Sequence, residues 1–415
     1  MSLAHLGEAG SDAVRRLVPD LLGACLAVQG PPGAGKTWTG AALIVDAVRR
    51  GKRVGITAQS HSAIGNLLAE VARRAAEEGR PVRMLQKAGE DKRCDLPGVT
   101  CTDSNADVDA ALDLHHVDVV AGTAWLFARP ELDGTLDLLV VDEAGQRSLA
   151  DVLAVSGSAV DLVLLGDPQQ LAQVSKGTHP PGAEASALQH VLDGHATVPP
   201  DRGVFLDRSY RMHPDVCAFV SAIAYDDRLR PVPGRERQAV ADGPLLGGAG
   251  LRWVPVAHEG NRHRSPEEAA AVAELVRSLL NRPWVDADGQ QSWLQLEDIL
   301  VIAPYNAQVV ELTEALPAGA RVGTVDRFQG QEAPVVLYSL TASSADGVPR
   351  GLDFLLSVHR LNVAVSRARA LAVLVGNPDL VRVEPRSVGQ LRRLNALCRF
   401  LEDATPVDVP VLSSS

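Results

Sequence analysis

Aromatic residues make up only 4% of this 415-residue chain, which limits how many flat platforms it can offer to planar ligands. Long apolar runs are missing as well. No uncharged stretch reaches the roughly 18 residues of a membrane span, and the N-terminus lacks the basic-then-apolar layout of a secretion signal. A cytoplasmic protein with no membrane partner is therefore expected. Cysteine is sparse: Cys25, Cys94, Cys101, Cys217 and Cys398 are odd in number, scattered, and form no CxxC pair, so no disulfide is expected. Cys94 and Cys101 with His115 and His116 hint at zinc, but they lack the tight pair of a structural site. Basic charge is also short. A net charge of -11 and a pI near 5.5 exclude a protein that coats duplex nucleic acid by charge alone. Any such path must be local, and its expected source is the last third. There Arg350, Arg360, Arg367, Arg369, Arg382, Arg386, Arg392, Arg393 and Arg399 outnumber Asp353, Asp379 and Glu384.

What is present is apolar periodicity. With 46% hydrophobic residues and roughly 150 residues per domain, the chain can bury two cores. Short β-branched runs alternate with helical stretches, the pattern of parallel sheets covered on both faces. The predicted strands are 25–29, 53–57, 117–122, 136–142 and 161–166, then 299–302, 321–325, 335–340 and 370–376. A short helix at 13–22 should precede the first. The Pro/Gly/His-rich stretch 176–203, with a short helix near 184–192, reads as the link between two α/β domains. The polar segment 79–116 and the Pro/Gly/Arg-rich segment 228–250 read as insertions or surface loops. The expected division is a first domain over 1–193 with its insertion at 79–116, a second over 204–400, and a tail over 401–415.

Two motifs carry the chemistry. Gly30-Pro31-Pro32-Gly33-Ala34-Gly35-Lys36-Thr37 fits GxxxxGK[ST] between an apolar strand and a helical run, the context that the motif needs. Its glycines let successive N–H groups face a β-phosphate while Lys36 reaches the β/γ oxygens and Thr37 binds Mg²⁺. Leu138-Leu139-Val140-Val141-Asp142-Glu143 is an apolar strand ending in two carboxylates. Asp142 is placed to hold Mg²⁺ and Glu143 to orient the attacking water.

A phosphate loop alone admits kinases, GTPases and transporters. The motifs downstream of the loop narrow the field: Asp142-Glu143-Ala144-Gly145-Gln146 resembles the DEAxQ box of superfamily 1 helicases, and Gly166-Asp167-Pro168-Gln169-Gln170-Leu171 resembles their GDxxQL motif. The second half continues in order with Ser209-Tyr210-Arg211-Met212-His213-Pro214, Ala303-Pro304-Tyr305-Asn306-Ala307-Gln308, the run from Gly323 to Glu332, and Asn362-Val363-Ala364-Val365-Ser366-Arg367-Ala368-Arg369. The chain thus resembles the Upf-like group from about 27 to 378. The wording around 29–37 and 57–66 is most similar to bacterial proteins in which a RecB-like nuclease precedes the helicase.

That resemblance implies an α/β fold of two RecA-like P-loop domains with mainly parallel sheets and the nucleotide site in the interdomain cleft. It implies an ATP hydrolase that moves on single-stranded nucleic acid, DNA in preference to RNA, with ATP and Mg²⁺ as cofactors and a RecB-like nuclease domain in cis or in trans. Gln170 would sense the γ-phosphate, Arg211 and Arg367 would reach it from the second domain, Tyr210 would stack on the base and Glu332 would accept from the ribose. Arg327 and Arg369 fit a structural role equally well. Ser60, Ser62, Thr123 and Thr324 would grip the strand backbone, with Trp125 and Tyr305 as stacking platforms. The group's usual adenine-reading Gln upstream of the phosphate loop is missing from 1–22, and Ala34 stands where Thr is usual. The competing function is a nucleotide-gated clamp that separates no strands, and a small-molecule kinase is disfavoured by the second-half motifs.

Overall fold

The computed structural model describes residues 2–171, 185–328, 330–344 and 348–410. Residues 172–184, which begin the expected link, and Gln329 of the expected strand-gripping motif lie outside the described residues. The chain forms two compact units that meet in sequence at Asp207 and Arg208.

The first unit holds eight strands: β1 (Cys25–Gln29), β2 (Val54–Thr57), β3 (Met84–Lys87), β4 (Val99–Thr102), β5 (Val119–Ala121), β6 (Leu136–Val141), β7 (Ala159–Gly166) and β8 (Gly203–Phe205). Their order is β4-β3-β5-β2-β6-β7-β1-β8, and every pairing is parallel. Val28, Ile56, Val140, Val163 and Leu165 are buried in one core with Ile44, Leu67 and Leu68 of the helices Lys36–Arg49 and His61–Glu77. Each such side chain contributes about 1.5–3 kcal/mol by leaving water.

The second unit adds β9 (Arg208–Ser209), β10 (Arg230–Pro231), β11 (Ala239–Val240), β12 (Gly250–Pro255), β13 (Pro283–Val285), β14 (Gln291–Trp293), β15 (Ile299–Ala303), β16 (Arg321–Thr324), β17 (Ala333–Ser339), β18 (Ala368–Gly376) and β19 (Thr405–Pro406). Its main sheet runs β16-β15-β17-β18-β12-β19 and is parallel throughout. Val301, Val335, Leu337, Leu371 and Val373 form its core with Val272 and Leu275 of the helix Pro266–Leu279.

All nine predicted strands are present, and three expectations need correction. The segment 79–116 is no loop: it supplies β3 and β4 and the helix Asn105–Asp113, so it widens the sheet. The first unit does not end at 193, because Gly203–Phe205 pairs in parallel with β1. Nor is 401–415 all tail, because the helix Val388–Asp403 runs into it and β19 hydrogen-bonds to β12. Segment 228–250 carries β10, β11, one 3₁₀ turn and the first residue of β12, yet Gln238 within it is fully buried. The first helix spans Gly10–Leu17 and is followed by a 3₁₀ turn. Among the described residues, no helix is long and apolar enough to cross a membrane.

Candidate nucleotide and nucleic-acid site

Parallel strands put all their carboxyl ends on one edge, where ligands of α/β sheets bind. In the first unit that edge receives the phosphate loop after β1, Gln59–Ser62 after β2, Thr123 after β5, Asp142 and Glu143 after β6, and Asp167 to Gln170 after β7.

The loop's geometry follows from its glycines. Gly33 and Gly35 hold φ of 71° and 75°, which turns consecutive N–H groups toward one side. A Cβ on Gly30 would lie 2.2 Å from Cγ of Lys36, so only glycine lets that side chain fold over the loop. Lys36 Nζ donates to the carbonyls of Gly30 and, at 3.3 Å, Pro31. Gly35 caps the helix Lys36–Arg49 without a side-chain bond, leaving the first-turn N–H groups and the positive helix end for an anion.

Beside it, the Asp142 carboxylate accepts from the Glu143 amide at 2.8 Å. Burial raises the pKa of Asp142 from its ordinary value, while the bond from the Glu143 amide and then the charge of Lys36 oppose the shift. Glu143 is pushed up to about 6, first by burial and then by the charge of Asp142. Two adjacent acids whose ionisation burial disfavours suit a divalent cation, which Asp142 with the exposed Thr37 would hold. The donor set therefore fits a nucleotide phosphate with its cation.

Glu143 has φ of 56°, a conformation that costs a non-glycine residue about 1–3 kcal/mol. The turn is held by close stacking of two loops. A Cβ on Gly145 would meet the carbonyl carbon and oxygen of Asp167 at 2.5 Å, and one on Gly166 would meet the Gly145 nitrogen at 2.5 Å. Gln170 Nε2 donates to Asp167 Oδ2 at 2.9 Å, so the expected γ-phosphate sensor is anchored to the loop resting on Gly145. Because the opposing atoms are backbone, Gly145→Ala is expected to destabilise the first unit by about 1–3 kcal/mol. The check is the urea midpoint, and an unchanged midpoint would show that the loops separate freely.

On the same edge Ser60 accepts from the Ala63 amide at 3.1 Å and caps the helix His61–Glu77, while Ser62 is exposed. Thr123 precedes the short helix Ala124–Phe127, and Trp125 is 87% exposed, as a stacking platform requires.

The second unit divides its candidates between opposite edges. Glu332 precedes β17 and Arg367 precedes β18, and the two strands pair from Ala333 and Ala368 onward, so both lie at the amino edge. Arg211 joins them there. Its Nε donates to Glu332 Oε2 at 2.5 Å and its Nη1 to the Ser366 carbonyl at 3.0 Å. Arg367 is 4% exposed and donates to the Gln331 carbonyl at 2.9 Å. Burial and then Arg211 push its pKa down to about 9, which leaves it cationic at neutral pH. Tyr210, which precedes Arg211 in sequence, is 54% exposed. Gln238, which sequence reasoning missed, donates to the carbonyls of Arg211 (2.8 Å) and Arg369 (3.1 Å). A buried Gln in a Pro/Gly-rich segment gives no sequence signal of that kind.

Thr324 ends β16 at the carboxyl edge. Tyr305 is not the open platform expected: it is 8% exposed, with its hydroxyl donating to the Pro349 carbonyl at 3.1 Å and its ring against Phe354. Its apolar surroundings outcompete solvent for the ring. Of the nine late arginines, Arg360, Arg382, Arg393 and Arg399 are in ion pairs. Arg369 lies over Trp284, and exposed Arg350 lies over Phe354. Arg327 bonds the Val322 carbonyl, the structural role open to it. Cys94, Cys101, His115 and His116 make no zinc set, since among the described residues no group of three ligating side chains comes together.

Two parallel α/β units, one with a phosphate loop facing a carboxylate strand end, define a P-loop NTPase core of RecA-like domains. AAA domain family models match residues 6–181 and 183–379. The DNA replication ATP-dependent helicase/nuclease JHS1 of Arabidopsis thaliana is 27% identical over 380 residues, 84% of this chain and 27% of that protein. The DNA-binding protein SMUBP-2 of Mus musculus is 27% identical over 416 residues, 82% of this chain and 40% of that protein. Among solved structures, a helicase crystal structure, Arterivirus nonstructural protein 10, aligns with a TM-score of 0.46 at 16% identity, covering 86% of this chain and 59% of that one. The two AAA domain matches together span most of the chain, which is similar to superfamily 1 helicases of the Upf-like group. The chain spans between a quarter and two fifths of the length of these curated relatives.

Proposed function

We propose that this chain is an ATP-dependent motor on single-stranded nucleic acid, with DNA the favoured strand. One observation carries the reading: the phosphate loop, Asp142, Glu143 and the strand candidates Ser60, Ser62, Thr123 and Trp125 share one edge of one parallel sheet. Phosphate chemistry and strand contact are thus built on adjacent strand ends.

In this reading Lys36 and the loop N–H groups position the phosphates, Thr37 and Asp142 hold Mg²⁺, and Glu143 orients the attacking water. ATP supplies the phosphoryl group whose developing charge needs compensation. Arg211 and Arg367 belong to the second unit, so the reading requires domain closure to deliver them, and turnover is coupled to that closure. Tyr210 stacks on the base and Glu332 turns from Arg211 to the ribose. A RecB-like nuclease partner, in cis or in trans, is part of the same proposal, and JHS1 is itself named a helicase/nuclease.

The test is steady-state ATP hydrolysis with and without single-stranded DNA and RNA. Stimulation by a strand is expected, with Lys36→Ala lowering turnover by at least roughly 10²–10³. Turnover indifferent to any nucleic acid sinks the motor. Stimulated turnover without duplex opening in a strand-displacement assay selects the nucleotide-gated clamp instead.

A further inference from the structure

The sequence motifs account for the two ends of the first unit's site, the phosphate loop and the strand-contacting edge, but not for what joins them. Three consecutive residues leaving β2 each touch the turn that succeeds β6. Thr57 gives its carbonyl to the Asp142 amide at 2.8 Å. The backbone N–H of Gln59 faces the Glu143 carboxylate and favours its charged form. Between them, the Ala58 carbonyl accepts from Nη2 of Arg147. Ser60 and exposed Ser62 come directly after.

Arg147 is unusual in its own right. It is 9% exposed, and its Nε is buried with no hydrogen-bond partner among the described residues. A guanidinium carries five N–H donors, and burying one under-bonded is expensive. An apolar residue would fill the space more cheaply, so stability alone does not explain a charge there. Its backbone is pinned as well, since its carbonyl accepts from the Ala187 amide at 3.0 Å and the next residue, Ser148, bridges to Ser186. The side chain therefore projects from a fixed anchor to one hydrogen-bond acceptor among the described residues, the carbonyl of the last buried residue before the strand-contacting edge.

We propose that Arg147 is a positioning residue that couples strand contact at Ser60–Ser62 to the placement of Glu143. A strand backbone drawn onto that edge moves the Ala58–Gln59 peptide. Arg147 holds the Ala58 carbonyl, and Thr57 the Asp142 amide, in register with the Asp142–Arg147 turn, so the displacement is passed to the backbone that carries Glu143. Glu143, held in a left-handed conformation, is carried by backbone that such a pull can shift. Arg147 touches neither strand nor phosphate in this scheme and acts only through the carbonyl that it grips.

This inference rests on the motor reading, and the experiment separates the two. The ratio of strand-stimulated to unstimulated ATP turnover is measured for the wild type, Arg147→Met and Arg147→Lys. Binding of a fluorescein-labelled single-stranded oligonucleotide is monitored by anisotropy without nucleotide. A wild type with no stimulation overturns the functional reading itself. Given wild-type stimulation, Arg147→Met is expected to bring the ratio down toward one, a loss of roughly 5- to 150-fold for a typical coupling. Its oligonucleotide affinity should stay at the wild-type value, and Arg147→Lys, which can still donate to the Ala58 carbonyl, should recover part of the ratio. A wild-type ratio in either variant overturns the proposal, as does a fall in oligonucleotide affinity that accounts for the lost stimulation. If Arg147→Met does not fold, Arg147→Lys decides alone, with an intermediate ratio expected and an unchanged one overturning.

Discussion

Replacing Arg367 by Gln is expected to lower strand-stimulated ATP turnover by roughly 10³–10⁵, the range for a charge that meets the transferring phosphoryl group. The geometry makes the variant informative. Arg367 is buried in its own unit beside Arg211, and its one side-chain hydrogen bond among the described residues, to the Gln331 carbonyl, can be kept by an amide. Removing its charge also removes a like-charge neighbour of Arg211. The fold should therefore tolerate the change while chemistry fails. Single-turnover hydrolysis beside equilibrium binding of a fluorescent ATP analogue separates these effects. Intact binding with lost turnover is the expected pattern, and turnover within tenfold of wild type would remove Arg367 from the catalytic set.

Glu268→Ala should cost more stability than Gly145→Ala or any of the site substitutions. Glu268 is fully buried. Its Oε1 faces His258 Nε2 at 2.9 Å, and its Oε2 accepts from the Ser339 hydroxyl at 2.6 Å and the Thr341 amide at 2.8 Å. His258 in turn faces Ser343 Oγ at 2.7 Å, and Gln308 donates to Ser339 Oγ at 3.0 Å. Thr341 has φ of 76°, a strained setting for a β-branched residue, and Glu268 holds its N–H. Deleting the carboxylate strands three buried groups at once, a loss of about 3–5 kcal/mol. For a unit of this size, that lowers Tm by roughly 6–20 °C. Thermal denaturation monitored by circular dichroism reads it directly, with Glu268→Gln losing less. Equal melting of Glu268→Ala and wild type would show the network to be dispensable.

The sequence made the interior strands legible and left the edges dark. Strands β6, β15, β17 and β18 are buried nearly end to end, and β7 over its second half, so they are written as apolar runs. Strand β4 is half-exposed, β14 is exposed throughout, and β19 has two residues. Such strands form because a neighbour offers a ladder, which local composition does not record. The site divides in the same way. Lys36, Asp142 and Gln170 stand in motifs whose spacing the proposed phosphate chemistry would require. Arg147, Gln238 and Glu268 act across 89, 131 and 73 residues of sequence, and nothing near them in the chain foretells the partner. Tyr305 misled because its motif gives its position but not the Pro349–Phe354 packing that covers it.

The opposite-edge arrangement of the second unit has a mechanical meaning. Strand β17 carries Glu332 just before its first residue and feeds Ser339 and Thr341 into the Glu268 network at its far end. Its seven residues span roughly 20 Å of parallel strand, braced by β15 and β18 on either side. A hydrogen-bonded strand in the middle of a sheet neither stretches nor buckles, so it behaves as a pushrod. In the proposed motor, β17 would therefore carry a displacement from the rim bearing Tyr210, Arg211 and Arg367 to the rim bearing Thr324 with little taken up along the way.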